Sequence, residues 1–312
     1  MILITGGTGF IGRNLVRQLA ENGHSIRLLL KPSPKTPKVP LGVPVDVAVT
    51  SINDEHGLQA ALRGVDVIFH LAGGEGIGAR SDLERVDVHG TLSLMNAAVS
   101  SRVKKVYYLS HLGADRASGF PILKAKGIAE EHVRSSGVPY TIIRSSLVFG
   151  AEDGFTTGLS LLLHTSPGFL PVPSRGKTLL QPLWVEDLVT CLLWALDMPE
   201  FENSTIEIGG SEYLSIEQIV RTIMDVIRKK RKLVFWPNPY MRALTVLAEN
   251  MLIGFPTSVF WLDYMAVNRT CGVNSVPNQF GLMPARFSNK LDHLKDINWN
   301  KKLIERIFKK NA

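Results

Sequence analysis

Met1-Ile-Leu-Ile-Thr-Gly-Gly-Thr-Gly-Phe-Ile-Gly-Arg-Asn-Leu15 opens the chain, and its reading decides the fold. The apolar run Met1 to Ile4 suits a strand buried on both faces of a parallel sheet. Gly6, Gly9 and Gly12 follow at three-residue spacing, and then Ile11, Leu15, Val16 and Leu19 recur at helical spacing. The pattern is strand, glycine turn, helix. A residue without Cβ makes the tight turn, lets backbone approach a pyrophosphate and lets the helix start close to the strand. The helix N-terminus offers free N–H groups and a partial positive charge to phosphates. A glycine triplet alone is a weak signal, and its place between strand and helix gives it weight. The expected dinucleotide contacts on this turn are Gly6, Thr8, Gly9, Phe10, Ile11, Gly12 and Arg13.

Working outward, Ser25 to Leu30 reads as a second strand that ends at Lys31. In dinucleotide folds an acidic residue here holds a ribose 2′-hydroxyl and a basic one suits a 2′-phosphate. Lys31 and Arg13 therefore point to NADP(H) over NAD(H); the alternative is two ordinary surface cations. Residues 32–45 carry Pro32, Pro34, Pro37, Pro40 and Pro44, so they form a loop. Val45 to Val49 is a third strand, and Asn53-Asp54 caps a helix holding Leu58, Ala61 and Leu62. Asp66 to Gly74 is a fourth strand with a small-residue turn, where Leu71, Ala72 and Gly73 flank the path of a nicotinamide ribose. His70 reads as a packed strand residue rather than a catalyst. Glu84 to Ser100 is a helix, Lys105 to Ser110 a fifth strand and Tyr140 to Arg144 a sixth. This alternation implies an α/β fold, a Rossmann-type doubly wound parallel sheet with right-handed crossovers. The expected division is a dinucleotide-binding domain over 1–150 and a smaller C-terminal α/β lobe over 151–312, partly interleaved with it.

Composition bounds the rest. The chain has 312 residues, 45% of them hydrophobic, enough for one large domain or two with a full core. Gly6 to Gly12 interrupts any apolar signal-peptide core, so no signal peptide is expected. Cys191 and Cys271 are far apart and form no metal spacing. No metal is expected, and a reduced compartment is: the cytoplasm or the matrix side of an organelle, soluble or peripheral to a membrane. A net charge of +7 and a pI near 9.4 suit nucleic acid, an anionic membrane surface or a phosphorylated ligand. With no zinc-finger or RNA-binding signature, nucleic acid is not an expected partner.

Several stretches together resemble a short-chain dehydrogenase/reductase of the extended or atypical branch. They are Thr5-Gly-Gly-Thr-Gly-Phe-Ile-Gly12, Gly64-Val-Asp-Val-Ile-Phe-His-Leu-Ala72, Gly90-Thr91, Ser110, Lys126 with Glu130, and Thr141-Ile-Ile-Arg-Ser-Ser-Leu-Val-Phe-Gly150. Gln181-Pro-Leu-Trp-Val-Glu-Asp-Leu188 and Ile206-Glu-Ile-Gly-Gly210 follow, so the resemblance spans nearly the whole chain. The order of the pieces most resembles the NADPH-binding accessory subunits of mitochondrial complex I and their free-standing bacterial and plastid relatives. The resemblance implies that Ser110 and Lys126 are the catalytic and cofactor-contacting pair, with a hydroxyl near the nicotinamide and an ammonium on the ribose hydroxyls. It also implies that Arg144 and Val148 lie on the segment passing over the nicotinamide.

The departure from the family matters more than the match. Catalytic members carry Tyr-x-x-x-Lys on the helix after strand five, one helical turn apart. The lysine lowers the tyrosine's pKa, and the tyrosine transfers a proton to or from the substrate oxygen. Here Ile122 stands four residues before Lys126, and Phe120 four before Lys124; neither moves a proton. Pro121 suits a first helical turn, which puts Phe120 outside the helix. Tyr107 and Tyr108 lie on the preceding strand. Asp87 stands near where many members carry asparagine, and His111 follows Ser110. Losing the acid/base costs roughly 10²–10⁴-fold in rate. The expected function is that of an NAD(P)H-binding accessory, assembly or redox-sensing protein linked to quinone-dependent electron transport. The alternative is an active NADPH-dependent oxidoreductase or epimerase on a quinone-like, isoprenoid or lipid-like substrate, with another proton donor such as His111.

In the second half, Trp184 to Leu188 starts a helix running to Leu196, and Ser215 with Gln218 makes a capping box. Arg228-Lys-Lys-Arg-Lys232 ends the capped helix. After it, Met241, Leu244, Leu247, Ala248, Met251 and Leu252 recur at helical spacing. Glu249, Asn250 and Pro256 rule out a simple spanning helix, which needs about 20 apolar residues. Two readings compete for 228–262: core of the C-terminal lobe, or contact with a membrane or membrane-complex surface through Trp236, Phe260 and Trp261.

Overall fold

β1 (Ile2–Thr5) is buried along its whole length, as its apolar run requires. A glycine turn leads into α1 (Phe10–Glu21), which buries Gly12, Leu15, Val16 and Leu19. Next come β2 (Ile26–Leu30), β3 (Asp46–Val49), α2 (Glu55–Ala61) and β4 (Val67–His70). Asp54 caps α2 by accepting the Gly57 N–H at 3.1 Å. The helix expected over Glu84 to Ser100 has two parts, a π turn at Glu84–His89 and α3 (Gly90–Ser100). Here the Thr91 hydroxyl takes the Asp87 carbonyl at 2.5 Å, a side chain intruding on the backbone ladder. β5 (Lys105–His111), α4 (Pro121–Ser135) and β6 (Tyr140–Ser145) complete this run. This computed structural model describes residues 1–312 except 35, 38, 40, 41, 75–80, 252–254 and 312. Pro40 of the proline loop and Leu252 of the apolar stripe therefore lie outside the described residues.

The chain then builds β7 (Val148–Phe149), α5 (Phe155–Thr165), β8 (Phe169–Pro173), β9 (Leu179–Leu180) and β10 (Leu183–Trp184). α6 (Val185–Trp194) and β11 (Ser204–Ile208) follow. The helix expected to reach Leu196 stops at Trp194 and tightens into a 3₁₀ turn over Ala195–Asp197. β11 pairs in parallel with β6, and Glu186 of α6 receives Arg17 and Gln18 of α1 at 2.5 and 2.8 Å. One compact unit thus comprises Met1–Glu75, Asp82–Ser145 and Val185–Ile208, so the division is not a single cut in the sequence.

Among the described residues the first unit holds a seven-stranded sheet in the order β3-β2-β1-β4-β5-β6-β11. Every pairing in it is parallel. It is a Rossmann-type doubly wound sheet whose strand order reverses between β1 and β4. Ligands of such sheets bind at that switch point, outside the strands' carboxyl ends. One side of the core joins Leu3, Ile68, Val106 and Ile142 of four neighbouring strands to Leu94, Ala129 and Val133 of α3 and α4. Each such fully buried side chain is worth about 1.5–3 kcal/mol.

The second unit takes Ser146–Trp184 and Gly209–Ala312. Its later elements are β12 (Leu214–Ser215), α7 (Ile216–Val226), β13 (Lys232–Trp236), α8 (Asn238–Met251), α9 (Val259–Tyr264), α10 (Ser275–Phe280) and α11 (Trp299–Asn311). The Ser215–Gln218 capping box is present at α7 in both directions. The basic run does not simply end that helix, because Lys232 opens β13, which pairs in parallel with β8. In α8 the apolar residues divide: Met241 is buried, while Leu244, Leu247 and Met251 are exposed. Phe260 is buried, and Trp261 packs on Phe155 with ring centroids 5.1 Å apart. This corrects the expectation that these two rings lie at an interface; of the three named, Trp236 alone is exposed. No helix among the described residues is long and apolar enough to cross a membrane.

Candidate dinucleotide site

The glycine turn is held by sterics at both ends. Gly6 has φ +73°, and a Cβ there would lie 2.8 Å from the Ala72 nitrogen and the Leu71 carbonyl oxygen. A Cβ on Gly12 would lie 2.2 Å from the Gly6 oxygen and 2.7 Å from the Gly7 Cα. Gly9 is the N-cap of α1, with no side-chain cap and no acidic residue in the first turn. The helix start therefore presents backbone donors without a competing carboxylate, the arrangement a pyrophosphate needs. Gly9 is exposed, and Thr8, Phe10 and Ile11 are half-buried around it. Arg13 donates from Nη1 to the Thr8 carbonyl at 2.9 Å and so braces the turn itself. Lys31 is exposed one residue beyond β2.

Behind the turn lies a buried polar chain centred on His70. The Thr91 hydroxyl donates to the Asp87 carbonyl, so it accepts from His70 Nε2 at 2.9 Å. That assignment makes Nε2 the protonated nitrogen, and Nδ1 accepts from the Thr5 hydroxyl at 2.7 Å. Thr5 Oγ1 in turn accepts the Ala72 N–H at 3.2 Å. Burial, and then the Lys126 charge, push the imidazole pKa down to about 3, so His70 is neutral at physiological pH. The chain links the ends of β1 and β4 to α3 and places Leu71 and Ala72 against Gly6. Gly73, next along, is exposed. His70 is thus the packed strand residue it was read to be, with a positioning role that its sequence context did not reveal. Thr5 and Thr91 were visible only as members of the Thr-Gly-Gly and Gly-Thr pieces.

At α4, Phe120 is the N-cap and Pro121 opens the helix, so Phe120 lies outside it. Ile122 is buried in the tyrosine's place. Lys126 is 3% exposed, with its ammonium 3.2 Å from Asp87 Oδ1 and 5.4 Å over the Tyr108 ring. Asp87 also accepts the Gly74 N–H at 2.8 Å, tying the lysine to the turn after β4. The aspartate in the usual asparagine position is therefore the lysine's partner. Ser110 is buried at the end of β5, and its hydroxyl helps hold the Glu130 carboxyl in its charged form. Tyr107 and Tyr108 are both buried. Tyr107 donates to the Ala195 carbonyl at 2.8 Å, and burial pushes its pKa above the ordinary value. His111 is half-buried at the strand's end.

Arg144 has a different place from the one expected over the nicotinamide. Its guanidinium grips Glu130 through Nε at 2.9 Å and Nη2 at 2.7 Å, and also reaches the Ala114 carbonyl and Glu207. Arg134 adds a third bond to Glu130 at 2.6 Å. With its donors engaged inside the first unit, Arg144 braces α4 against β6 and β11 rather than reaching a cofactor. Burial opposes the Glu130 charge, but the hydrogen bonds from Arg144 and Ser110 outweigh it and keep the carboxyl below its usual range. Val148 lies on β7, half-buried and paired with Leu183 in the second unit.

A switch-point glycine turn on a parallel sheet, with an uncapped helix start, defines a dinucleotide-binding protein. The chain belongs to the NAD(P)H-binding family, whose sequence model matches residues 6–164, and within it is an atypical short-chain dehydrogenase/reductase. It is 28% identical over 272 residues to NADH dehydrogenase (ubiquinone) 1 alpha subcomplex subunit 9, mitochondrial, of Arabidopsis thaliana, covering 83% of this chain and 67% of that relative. It is 27% identical over 317 aligned positions to ceramide reductase of Caulobacter vibrioides, covering 97% of each chain. Among solved structures, MoeE5 in complex with UDP-glucose and NAD matches it with a TM-score of 0.72 at 18% identity, over 97% of this chain and 99% of that one, a likeness of fold.

Proposed function

We propose that the chain binds NADP(H) at the Gly6–Gly12 turn and works without a tyrosine acid/base, as an accessory, assembly or redox-sensing protein of quinone-linked electron transport. One observation carries the reading: a buried Ile122 stands one helical turn before Lys126, whose ammonium is held by Asp87. Proton transfer of the superfamily's usual kind has no group to run through. When bound, the dinucleotide supplies or accepts hydride. The protein's own residues hold its phosphates on the uncapped start of α1 and pass its ribose beside Leu71, Ala72 and Gly73. Ser110 and Lys126 serve the nicotinamide end. Lys31 and Arg13 favour a 2′-phosphate, since neither position offers a carboxylate to a free 2′-hydroxyl. The relative named as a subunit of NADH dehydrogenase (ubiquinone) supports the accessory role.

The experiment compares NADPH with NADH in thermal unfolding and follows NADPH absorbance with and without a short-chain quinone. The expected result is stronger stabilisation by NADPH and no sustained oxidation. Sustained oxidation abolished by Lys126→Ala would favour a second reading, a reductase or epimerase on a lipid-like substrate with His111 as proton donor. That reading draws support from an apolar cleft in the second unit and from the ceramide reductase likeness along 97% of both chains.

Residues 228–262 support contact with a membrane surface. Arg228, Lys230 and Lys232 are exposed, as are Phe235, Trp236, Tyr240, Leu244, Leu247 and Met251. Clustered cations beside exposed apolar surface suit an anionic bilayer.

A further inference from the structure

We propose that the second unit holds a binding cleft for one long hydrocarbon chain of an anionic amphipathic lipid, reached from the membrane-facing side of α8. The proposal rests on the membrane reading of residues 228–262 and adds to it a ligand site with its own lining.

The cleft is walled by α5, β8, α7, α8 and α9, all within the second unit, and its empty space counted out to its mouth is about 580 Å³. Phe155, Leu159, Leu162, Leu170, Met241 and Met265 give its character. Thr245 and Thr257 place the only side-chain hydroxyls among the lining residues, and no charged side chain lines it. Apolar cavities stay dry and accept hydrocarbon, and pockets of about 300–1,000 Å³ hold small ligands. A lining with so few polar groups has nothing to orient a sugar, a nucleotide or a peptide. It matches a chain that asks for no hydrogen bonds.

α8 connects the cleft to the outside. Its inner side contributes Met241 and Thr245 to the wall. On the opposite side Tyr240, Leu244, Leu247 and Met251 stand at i, i+4, i+7 and i+11, one face of a helix, with exposures of 69, 47, 55 and 71%. Glu249, the helix's one carboxylate, is buried and accepts the Val259 N–H at 3.2 Å, so it puts no negative charge on that face. A helix apolar on two faces belongs between two apolar surroundings. Inside, that is the cleft; outside, hydrocarbon of a bilayer meets the requirement.

Charge selects the lipid. β13 pairs residue by residue with β8, setting exposed Lys232 opposite Phe169, the neighbour of the cleft residue Leu170. Lys230 and Arg228 extend the cationic edge. An amphipath whose tail enters beside β8 therefore has ammonium and guanidinium groups close by for an anionic head.

The test uses the full chain, a dansyl-undecanoate fluorescence titration for the cleft and flotation with vesicles for the surface. Vesicles of phosphatidylcholine with phosphatidylglycerol are compared with phosphatidylcholine alone. Saturable probe binding, displaced by palmitate, is expected. Leu159→Trp and Met265→Trp fill the cleft from partly exposed positions, and each should weaken the probe at least about tenfold while flotation on anionic vesicles persists. The triple variant Leu244→Ser, Leu247→Ser, Met251→Ser should lose flotation and keep the probe. Circular dichroism and cooperative unfolding check each fold; if one tryptophan variant fails to fold, the other decides. Probe signal that does not saturate, or that ignores both tryptophan variants, overturns the cleft even if flotation stands. Failure of the wild type to float, with a dimer in light scattering that the triple serine variant abolishes, overturns entry from a bilayer and makes the outer face a contact between copies. Probe binding that survives that outcome leaves the cleft as a site filled from solution.

Discussion

The glycine turn of the first unit and the α8 segment of the second are both patterned stretches, but they obey different constraints. At the turn, backbone sterics leave one solution: a Cβ on Gly12 would sit 2.2 Å from the Gly6 oxygen. Behind it, Thr5, His70, Thr91 and Asp87 form a chain in which each donor has a defined acceptor. In α8 the constraint is apolar periodicity, and two faces satisfy it. Met241 turns inward, whereas Leu244, Leu247 and Met251 turn outward. Hydrogen bonds and close contacts specify a geometry; hydrophobic spacing alone specifies only that some apolar surroundings exist.

The comparison breaks if perturbing the first unit is cheap or perturbing the outer face of α8 is costly. The largest effect is expected at Glu130, which is fully buried and shared by Arg134 and Arg144. Glu130→Ala leaves two guanidinium groups without their carboxylate and should destabilise by about 3–5 kcal/mol in denaturant titration. Its folded pKa lies below the unfolded one, so its contribution is present near neutrality and lost as pH falls through the folded value. Gly12→Ala comes next: overpacking at the turn should cost about 1–3 kcal/mol and abolish the stabilisation given by NADPH. A normal response to NADPH in that variant would sever the turn from the cofactor.

His70 gives a pH signature. Its folded pKa of about 3 lies below the ordinary histidine value. As pH falls below about 6.5 the unfolded state takes up the proton first, so stability should decline towards pH 3 at up to about 1.4 kcal/mol per unit. His70→Gln should flatten that slope, and equilibrium unfolding at several pH values measures it. The smallest effect is expected at Leu247→Ser on the outer face of α8, within about 0.5 kcal/mol. A loss of 2 kcal/mol or more would show that this face is packed in the folded monomer.

How much was legible from sequence follows the same division. The parallel sheet, the turn, the α7 capping box and Pro121 opening α4 were readable because each depends on local residue chemistry. The pairing of Lys126 with Asp87 was half readable: the aspartate stood out, but only the fold brings it to 3.2 Å. Arg144 was misplaced because a strand residue near a nicotinamide segment has two sides to point to, and Glu130 on α4 decides between them. Phe260 and Trp261 were misplaced because aromatic content is the same in a core as at an interface, and their burial depends on Phe155 from a distant helix.

The central claim, a dinucleotide held by the Gly6–Gly12 turn with no tyrosine chemistry behind it, meets its most direct test in thermal unfolding with and without NADPH. At a concentration near 100 times Kd, binding adds about 2.7 kcal/mol, which should raise Tm by roughly 5 °C or more in the wild type and not in Gly12→Ala. An unchanged Tm for the wild type with both NADPH and NADH would contradict the account.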